Sequence, residues 1–209
     1  MPDIPAFLKP GDIIFQDLLC GDFCTAIETV THGWQGRSFS HCGLVTTAAD
    51  GSLQVIEAVS EGVKFTPLKE FLAKPQRSDE VVVGRLKTPW KPLIGQALAE
   101  AETLVGKPYD SAFDLQNEGL YCSELVYKVF LWASNGQQVF ELAPMTFKDP
   151  ATSKFFPVWA TYFKELGMAI PEGKPGLNPG SISRSDKLVI FTLKNIEAPA
   201  IALPTGGNH

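Results

Sequence analysis

The 209-residue sequence has little of what binding to nucleic acid or a bilayer requires. Its 18 Lys and Arg are outnumbered by 23 Asp and Glu, and the basic residues are scattered along the chain. Affinity for a phosphate backbone depends on clustered Lys and Arg that displace counterions, so no nucleic-acid partner is expected. No apolar run approaches the roughly 18 residues that a membrane-spanning helix needs, so no transmembrane segment is expected either.

The N-terminus lacks a basic stretch followed by an apolar one, so the sequence contains no recognisable signal peptide. We therefore expect a cytoplasmic protein, although an exported chain whose leader had been removed would look the same. Hydrophobic residues make up 44% of the chain and charged residues 20%, which is typical of a folded protein rather than a disordered one. The length predicts a single domain spanning residues 1–209.

Histidine and cysteine are scarce, with three His, four Cys and no paired C-x-x-C motif. A zinc site is therefore not expected, and we predict no metal and no cofactor. Cys20 and Cys24 are four residues apart in a segment with helical periodicity, and Cα atoms one helical turn apart rarely form an unstrained bridge. We therefore expect Cys20, Cys24 and Cys42 to be buried free thiols.

Short strand and helix patterns follow one another along the chain. Strand patterns cover residues 11–15, 40–48, 53–59, 63–65, 81–86 and 188–193. Helical patterns cover residues 17–31, 68–72, 91–105, 120–135 and 158–166. These elements predict an α+β fold, a mainly antiparallel sheet with packed helices. Residues 137–180, rich in Phe, Pro and Trp, resemble an insert packed over the domain, and residues 199–209 are expected to fray.

Cys122 is a candidate nucleophile because it lies in the predicted first turn of a helix. The helix dipole and the free N–H groups at that end favour the thiolate and lower the thiol pKa. The same N–H groups can bind an oxyanion. A buried Cys at the head of an apolar stripe would instead be structural, and position alone does not decide between the two interpretations.

His41 and Glu57 lie on two strands that the sequence predicts to form a hairpin. A lone His on an apolar strand is usually structural, and a Glu on an apolar face needs a partner, which an ordinary Lys or Arg could supply. With a three-residue loop at 49–51 and Gly51 left-handed, Gly43 faces Glu57, and His41 lies diagonal to Glu57 on the same face. A two-residue loop would place them on opposite faces.

Five sequence blocks occur in a fixed order between residues 10 and 130. They are GDIIFQ at 11–16, SHCGLV at 40–45, VIEA at 55–58, GKPYD at 106–110 and YCSELV at 121–126. Together they resemble the permuted papain-like amidases of the YiiX/YaeF type, in the NlpC superfamily of bacterial hydrolases. Each block alone is a weak signal, but five in the right order make the resemblance specific.

The resemblance implies a circularly permuted papain-like fold in which the His and the acid precede the Cys. It implies that Cys122 is the nucleophile, His41 the general base and Glu57 the acid that orients His41. It further implies a set of oxyanion or substrate-binding candidates: Tyr121, Tyr162, Gln16 and Ser123. Tyr162 belongs to this set by its spacing after Cys122.

The implied reaction is hydrolysis of an amide in a peptide or amino-acid conjugate through a thioester intermediate, with residues 137–180 lining the substrate pocket. A second hypothesis is a lipid acyltransferase or deacylase related to lecithin:retinol acyltransferase, because the Phe- and Trp-rich insert would suit an acyl chain. Against it, the YCSE block around Cys122 differs from the usual block of that branch. A third hypothesis is a non-catalytic binding module, which retention of all three candidate groups argues against.

Overall fold

The computed structural model of the protein describes residues 4–74, 76–78 and 80–194. The strands are β1 (Ile13–Gln16), β2 (His41–Thr47), β3 (Leu53–Val59), β4 (Gly62–Pro67), β5 (Glu80–Leu86), β6 (Ala143–Pro144), β7 (Pro175–Gly176) and β8 (Leu188–Lys194). The helices are α1 (Ile4–Phe7), α2 (Asp22–Val30), α3 (Leu68–Leu72), α4 (Ile94–Thr103), α5 (Cys122–Ala133), α6 (Pro157–Glu165) and α7 (Pro179–Ser183). The predicted frayed tail, 199–209, lies outside the described residues.

Six strands form one antiparallel sheet in the order β4-β3-β2-β1-β5-β8, and β6 pairs with β7 in a separate two-stranded ribbon. One face of the large sheet packs against α5, which in turn contacts α4. The core on this face includes Phe15, Leu44, Ile56, Leu125 and Phe130. The other face is covered by α3, with a smaller core that includes Ile14, Val45, Val55 and Phe71. The predicted α+β fold is confirmed.

The turn between β2 and β3 decides which of their side chains share a face. The N–H of Gly51 donates to the Ala48 carbonyl at 2.9 Å, and the φ of Gly51 is +86°, a left-handed value that glycine adopts readily. Extending the observed strand register by one pair places Gly43 opposite Glu57. Of the two loop lengths that the sequence left open, the structure has the three-residue loop, which puts His41 and Glu57 on one face.

The start of α2 differs from the prediction, and so do its cysteines. Gly21 has φ 70° and ψ −148°, outside the helical region, so α2 begins at Asp22 and Cys20 precedes the helix. Cys20 and Cys24 form a disulfide with their Cα atoms 5.4 Å apart. The expectation of free thiols at these two positions was wrong because it assumed that both lie on the helix. Cys42 is a buried free thiol, as predicted.

One predicted helix begins differently in the structure, and three short elements were not predicted. The predicted helix at 91–105 begins instead as a 3₁₀ turn, Thr88–Leu93, which contains Pro92, and becomes α-helical at Ile94. The helix predicted at 158–166 corresponds to α6. The short elements β6, β7 and α7, between residues 143 and 183, were not predicted because elements this short have no detectable period. Within the described part of the chain, no helix is both long and apolar enough to cross a bilayer.

Candidate active site

Cys122 is the first residue of α5 and is 7% exposed. The chain enters the helix through Tyr121, whose backbone is extended and whose N–H donates to Oε2 of Glu124 at 3.2 Å. Burial raises the pKa of the Glu124 carboxyl to about 7, against the opposing effect of Lys128, which lies 2.8 Å away. The N–H groups of the first turn have no helical acceptors, so the Cys122 sulfur lies at a helix end with partial positive charge.

The ring of His41 lies between Cys122 and Glu57. Its Nε2 is 2.5 Å from Oε2 of Glu57, so Nδ1 is the ring nitrogen left to interact with Cys122. Burial disfavours the imidazolium, but the hydrogen bonds and charges of Cys122 and Glu57 outweigh it and raise the pKa of His41. The His41 ring therefore interacts with both the Cys122 thiol and the Glu57 carboxylate.

Glu57 is fully buried and has three side-chain partners. Oε2 accepts from His41 and from Nζ of Lys74, and Oε1 accepts the hydroxyl of Thr66 at 2.6 Å. Burial alone would raise the pKa of this carboxyl, but His41 and Lys74 outweigh it and lower the pKa to about 2. Glu57 is therefore ionised at neutral pH, and hydrogen bonds to both of its carboxylate oxygens fix its orientation.

Cys42 is a member of the site that the sequence analysis missed. Alternation along β2 points it away from His41, toward the face on which α5 packs. The thiol and the backbone of Cys42 both favour the Cys122 thiolate, and the thiol is the leading cause of a Cys122 pKa well below its usual value. Burial opposes this effect, and the bond and charge of His41 add to it. Burial and Cys122 raise the pKa of Cys42, so Cys42 stays protonated and donates.

A cavity of about 210 Å³ opens beside Cys122. Much of its lining comes from residues 137–180, in β6, β7, α6 and the segments next to them. The larger apolar and aromatic lining residues include Ile27, Val30, Tyr109, Phe113, Met145, Phe147, Trp159 and Leu177. The reactive sulfur thus adjoins a mostly apolar space large enough for part of a small molecule.

Tyr121 and Ser123, two of the predicted oxyanion or substrate-binding residues, line this cavity. Tyr121 is 3% exposed, and its hydroxyl has no hydrogen-bond acceptor among the described residues. The hydroxyl of Ser123 donates to the Leu177 carbonyl at 3.1 Å, which ties α5 to the segment before α7. Of the pair, Tyr121 has the donor that remains available to a ligand.

Gln16 and Tyr162, the other two candidates, are not among the lining residues. The amide of Gln16 donates to the Phe71 carbonyl at 2.9 Å, beneath the His41 side of the sheet. The hydroxyl of Tyr162 donates to the Ser111 carbonyl at 3.0 Å. Both polar groups therefore bond to backbone carbonyls in this structure. Within the described residues, no group of three or more His, Cys, Asp and Glu could hold a metal ion.

Comparisons with known proteins agree on one family. Residues 7–191 match the family described as "permuted papain-like amidase enzyme, YaeF/YiiX, C92 family". The uncharacterized protein YiiX of Escherichia coli K12 is 36% identical over 131 residues, so the match spans 61% of this chain and 61% of that protein's length. A solved structure, titled as the metalloprotein yiiX from Escherichia coli O157:H7, has a TM-score of 0.68 at 29% identity, covering 88% of this chain and 96% of that one.

Proposed function

The chain belongs to the permuted papain-like amidase family of the YaeF/YiiX type, and we propose that it is a cysteine hydrolase that cleaves an amide bond in a peptide or amino-acid conjugate. The observation that carries the proposal is that His41 interacts with both Cys122 and Glu57, and that Cys122 lines an apolar cavity. A lowered Cys122 pKa and a raised His41 pKa favour a thiolate–imidazolium pair at rest.

In the first half of the reaction, the Cys122 thiolate attacks the amide carbonyl carbon. The carbonyl oxygen becomes an oxyanion, and the free N–H groups at the start of α5 lie where they can stabilise it. The His41 imidazolium then gives its Nδ1 proton to the leaving nitrogen, the C–N bond breaks, and a thioester on Cys122 remains.

In the second half, neutral His41 accepts a proton from water as the water oxygen attacks the thioester carbonyl. The C–S bond breaks, the carboxylic acid leaves, and Cys122 returns to the thiolate. Because Nε2 is bonded to Glu57, Nδ1 is the nitrogen that gives and takes the proton in both halves. Glu57 acts by orienting the ring and stabilising its positive form.

The solved relative is titled a metalloprotein, but the residues of this chain do not fit a metal at the site. Both ring nitrogens of His41 already have partners, Glu57 and Cys122. No suitable group of ligands occurs elsewhere in the described chain. The proposed mechanism therefore contains no metal-dependent step.

The apolar cavity also favours a second candidate, transfer or removal of a fatty acyl group from a lipid ester. Buried aromatic rings of Phe113, Phe147 and Trp159 line the space beside Cys122 and could contact an acyl chain. This candidate uses the same thioester on Cys122 and differs in the bond cleaved. It therefore predicts faster reaction with esters, and product transfer to an alcohol or amine.

The test offers the purified protein matched amides and esters that share one acyl group. We expect amide hydrolysis and a thioester at Cys122 detectable by mass spectrometry of quenched reactions. Cys122→Ala should abolish the adduct, and His41→Ala should lower the rate by about 10³-fold, the range of general acid–base catalysis. His32→Ala is the matched control, because His32 is exposed. Absence of any adduct with a folded protein would instead support a non-catalytic binding module.

A further inference from the structure

Within the described residues, three of the four arginines have a carboxylate partner and the fourth does not. The pairs are Arg37 with Glu80 at 2.6 Å, Arg77 with Asp17 at 2.6 Å and Arg85 with Asp12 at 2.7 Å. The salt bridges of the described residues include none with Arg184, whose side chain is exposed. The nearby Asp186 pairs with Lys187 at 2.5 Å. The guanidinium of Arg184 therefore keeps donors for a ligand.

Arg184 also lines the cavity beside Cys122. Among the lining residues that the structure describes, it is the only Lys, Arg, Asp or Glu. It follows α7, a helix held at both ends: Oδ1 of Asn178 accepts the Ser181 N–H at 2.9 Å, and the buried Ser183 hydroxyl accepts the Trp34 N–H at 2.9 Å. The backbone before Arg184 is thus fixed, while its exposed side chain lies at the rim.

Away from Arg184, the cavity is lined by buried aromatic rings and by one buried hydroxyl that has no acceptor among the described residues. The Trp159 ring meets the rings of Phe113 and Phe147 edge to face, with centroids 5.6 and 5.1 Å away, and all three side chains are buried. The hydroxyl of Tyr121, also buried, has no acceptor among the described residues. The lining therefore includes an apolar wall, a buried Tyr121 hydroxyl without an acceptor among the described residues, and Arg184 as its one charged Lys, Arg, Asp or Glu side chain.

We propose that the cavity selects N-acyl amino acids, with the apolar acyl group against the aromatic wall and the free carboxylate bound by Arg184. This inference rests on the proposed amide hydrolysis at Cys122. A planar guanidinium binds a carboxylate through two parallel hydrogen bonds, which gives a geometric preference over a neutral carboxamide. Water adds across the scissile bond: the acyl carbon gains oxygen, and the amino-acid nitrogen leaves with the proton from His41.

The experiment compares three amides of octanoic acid, whose leaving groups are glycine, glycinamide and aminomethylphosphonate. For the natural sequence we expect kcat/KM to be at least tenfold higher for glycine than for glycinamide, mainly through KM. Arg184→Gln should bring this ratio to about 1, and Arg184→Lys should retain part of it. Arg37→Gln is the matched control, because Arg37 pairs with Glu80 and does not line the cavity, and it should keep the full ratio.

Calorimetry separates this inference from the proposed reaction. Octanoylglycine should bind the Cys122→Ala protein, and adding Arg184→Gln should weaken the binding at least tenfold. If that holds while no amide is cleaved, the hydrolase proposal fails and the carboxylate site stands. Equal rates for glycine and glycinamide, or a preference for the phosphonate, would overturn the carboxylate inference and leave amide hydrolysis in place.

Discussion

Replacing Glu57 with Gln asks whether the buried carboxylate stabilises the imidazolium of His41. Oε2 accepts from His41 and Lys74, and Oε1 accepts from Thr66. A Gln oxygen can take the place of Oε2, and its NH₂ group can then face the Thr66 hydroxyl, which accepts as well as donates. The substitution should therefore keep the arrangement and remove mainly the charge.

The size of the effect follows from the kind of hydrogen bond lost. A bond to a charged partner contributes about 1.5–3 kcal/mol, and a neutral one about 0.5–1.5 kcal/mol. The difference, about 1–1.5 kcal/mol, is equivalent to lowering the pKa of His41 by about one unit. We expect kcat/KM to fall about 5- to 13-fold, much less than the roughly 10³-fold for His41→Ala, which removes the proton carrier itself.

Two measurements check this expectation. Peptide-mapped iodoacetamide labelling between pH 5 and 9 reports the Cys122 thiolate, and the pH profile of kcat/KM reports the imidazolium. Because His41 must be protonated in the resting pair, the alkaline limb should move to lower pH by about one unit in Glu57→Gln. Glu61→Gln, at an exposed position, is the control. An unmoved limb with less than a twofold rate change would refute a role for the charge of Glu57.

Three further predictions follow from the same contacts. The pKa of Glu57 is about 2 in the folded protein and 4.5 for the free group. The free energy of unfolding should therefore fall by about 2–3 kcal/mol as the pH falls from 4.5 toward 2. Urea unfolding should detect this loss, and Glu57→Gln should lack it. Cys42→Ala should raise the pKa of Cys122 by about one unit, as the loss of one hydrogen bond implies, and Cys42→Ser should have a smaller effect. The pH midpoint of iodoacetamide labelling at Cys122 measures this pKa. Denatured, unreduced protein should show two reactive thiols and reduced protein four, since Cys20 and Cys24 form a disulfide; four before reduction would contradict that bond.

The sequence by itself determined the part of the site that depends on local geometry. The three-residue loop and a left-handed Gly51 set the register of β2 against β3, and that register alone puts His41 and Glu57 on one face. The position of Cys122 in the first turn of α5 likewise follows from a pattern spanning a few turns of helix, although that pattern predicted a start at Leu120. Such features are predictable because strand alternation and helical period repeat over neighbouring residues.

Only the tertiary structure decided which groups surround Cys122, His41 and Glu57. Cys42 meets Cys122 because α5 packs on that face of β2, and Lys74 and Thr66 reach Glu57 from after α3 and from β4. Arg184 lines the cavity because a hydrogen bond from the Trp34 N–H to Ser183 anchors α7 to a segment far away in sequence. No periodic sequence pattern predicts these contacts, because they join separate elements and depend on how the helices and the sheet pack together.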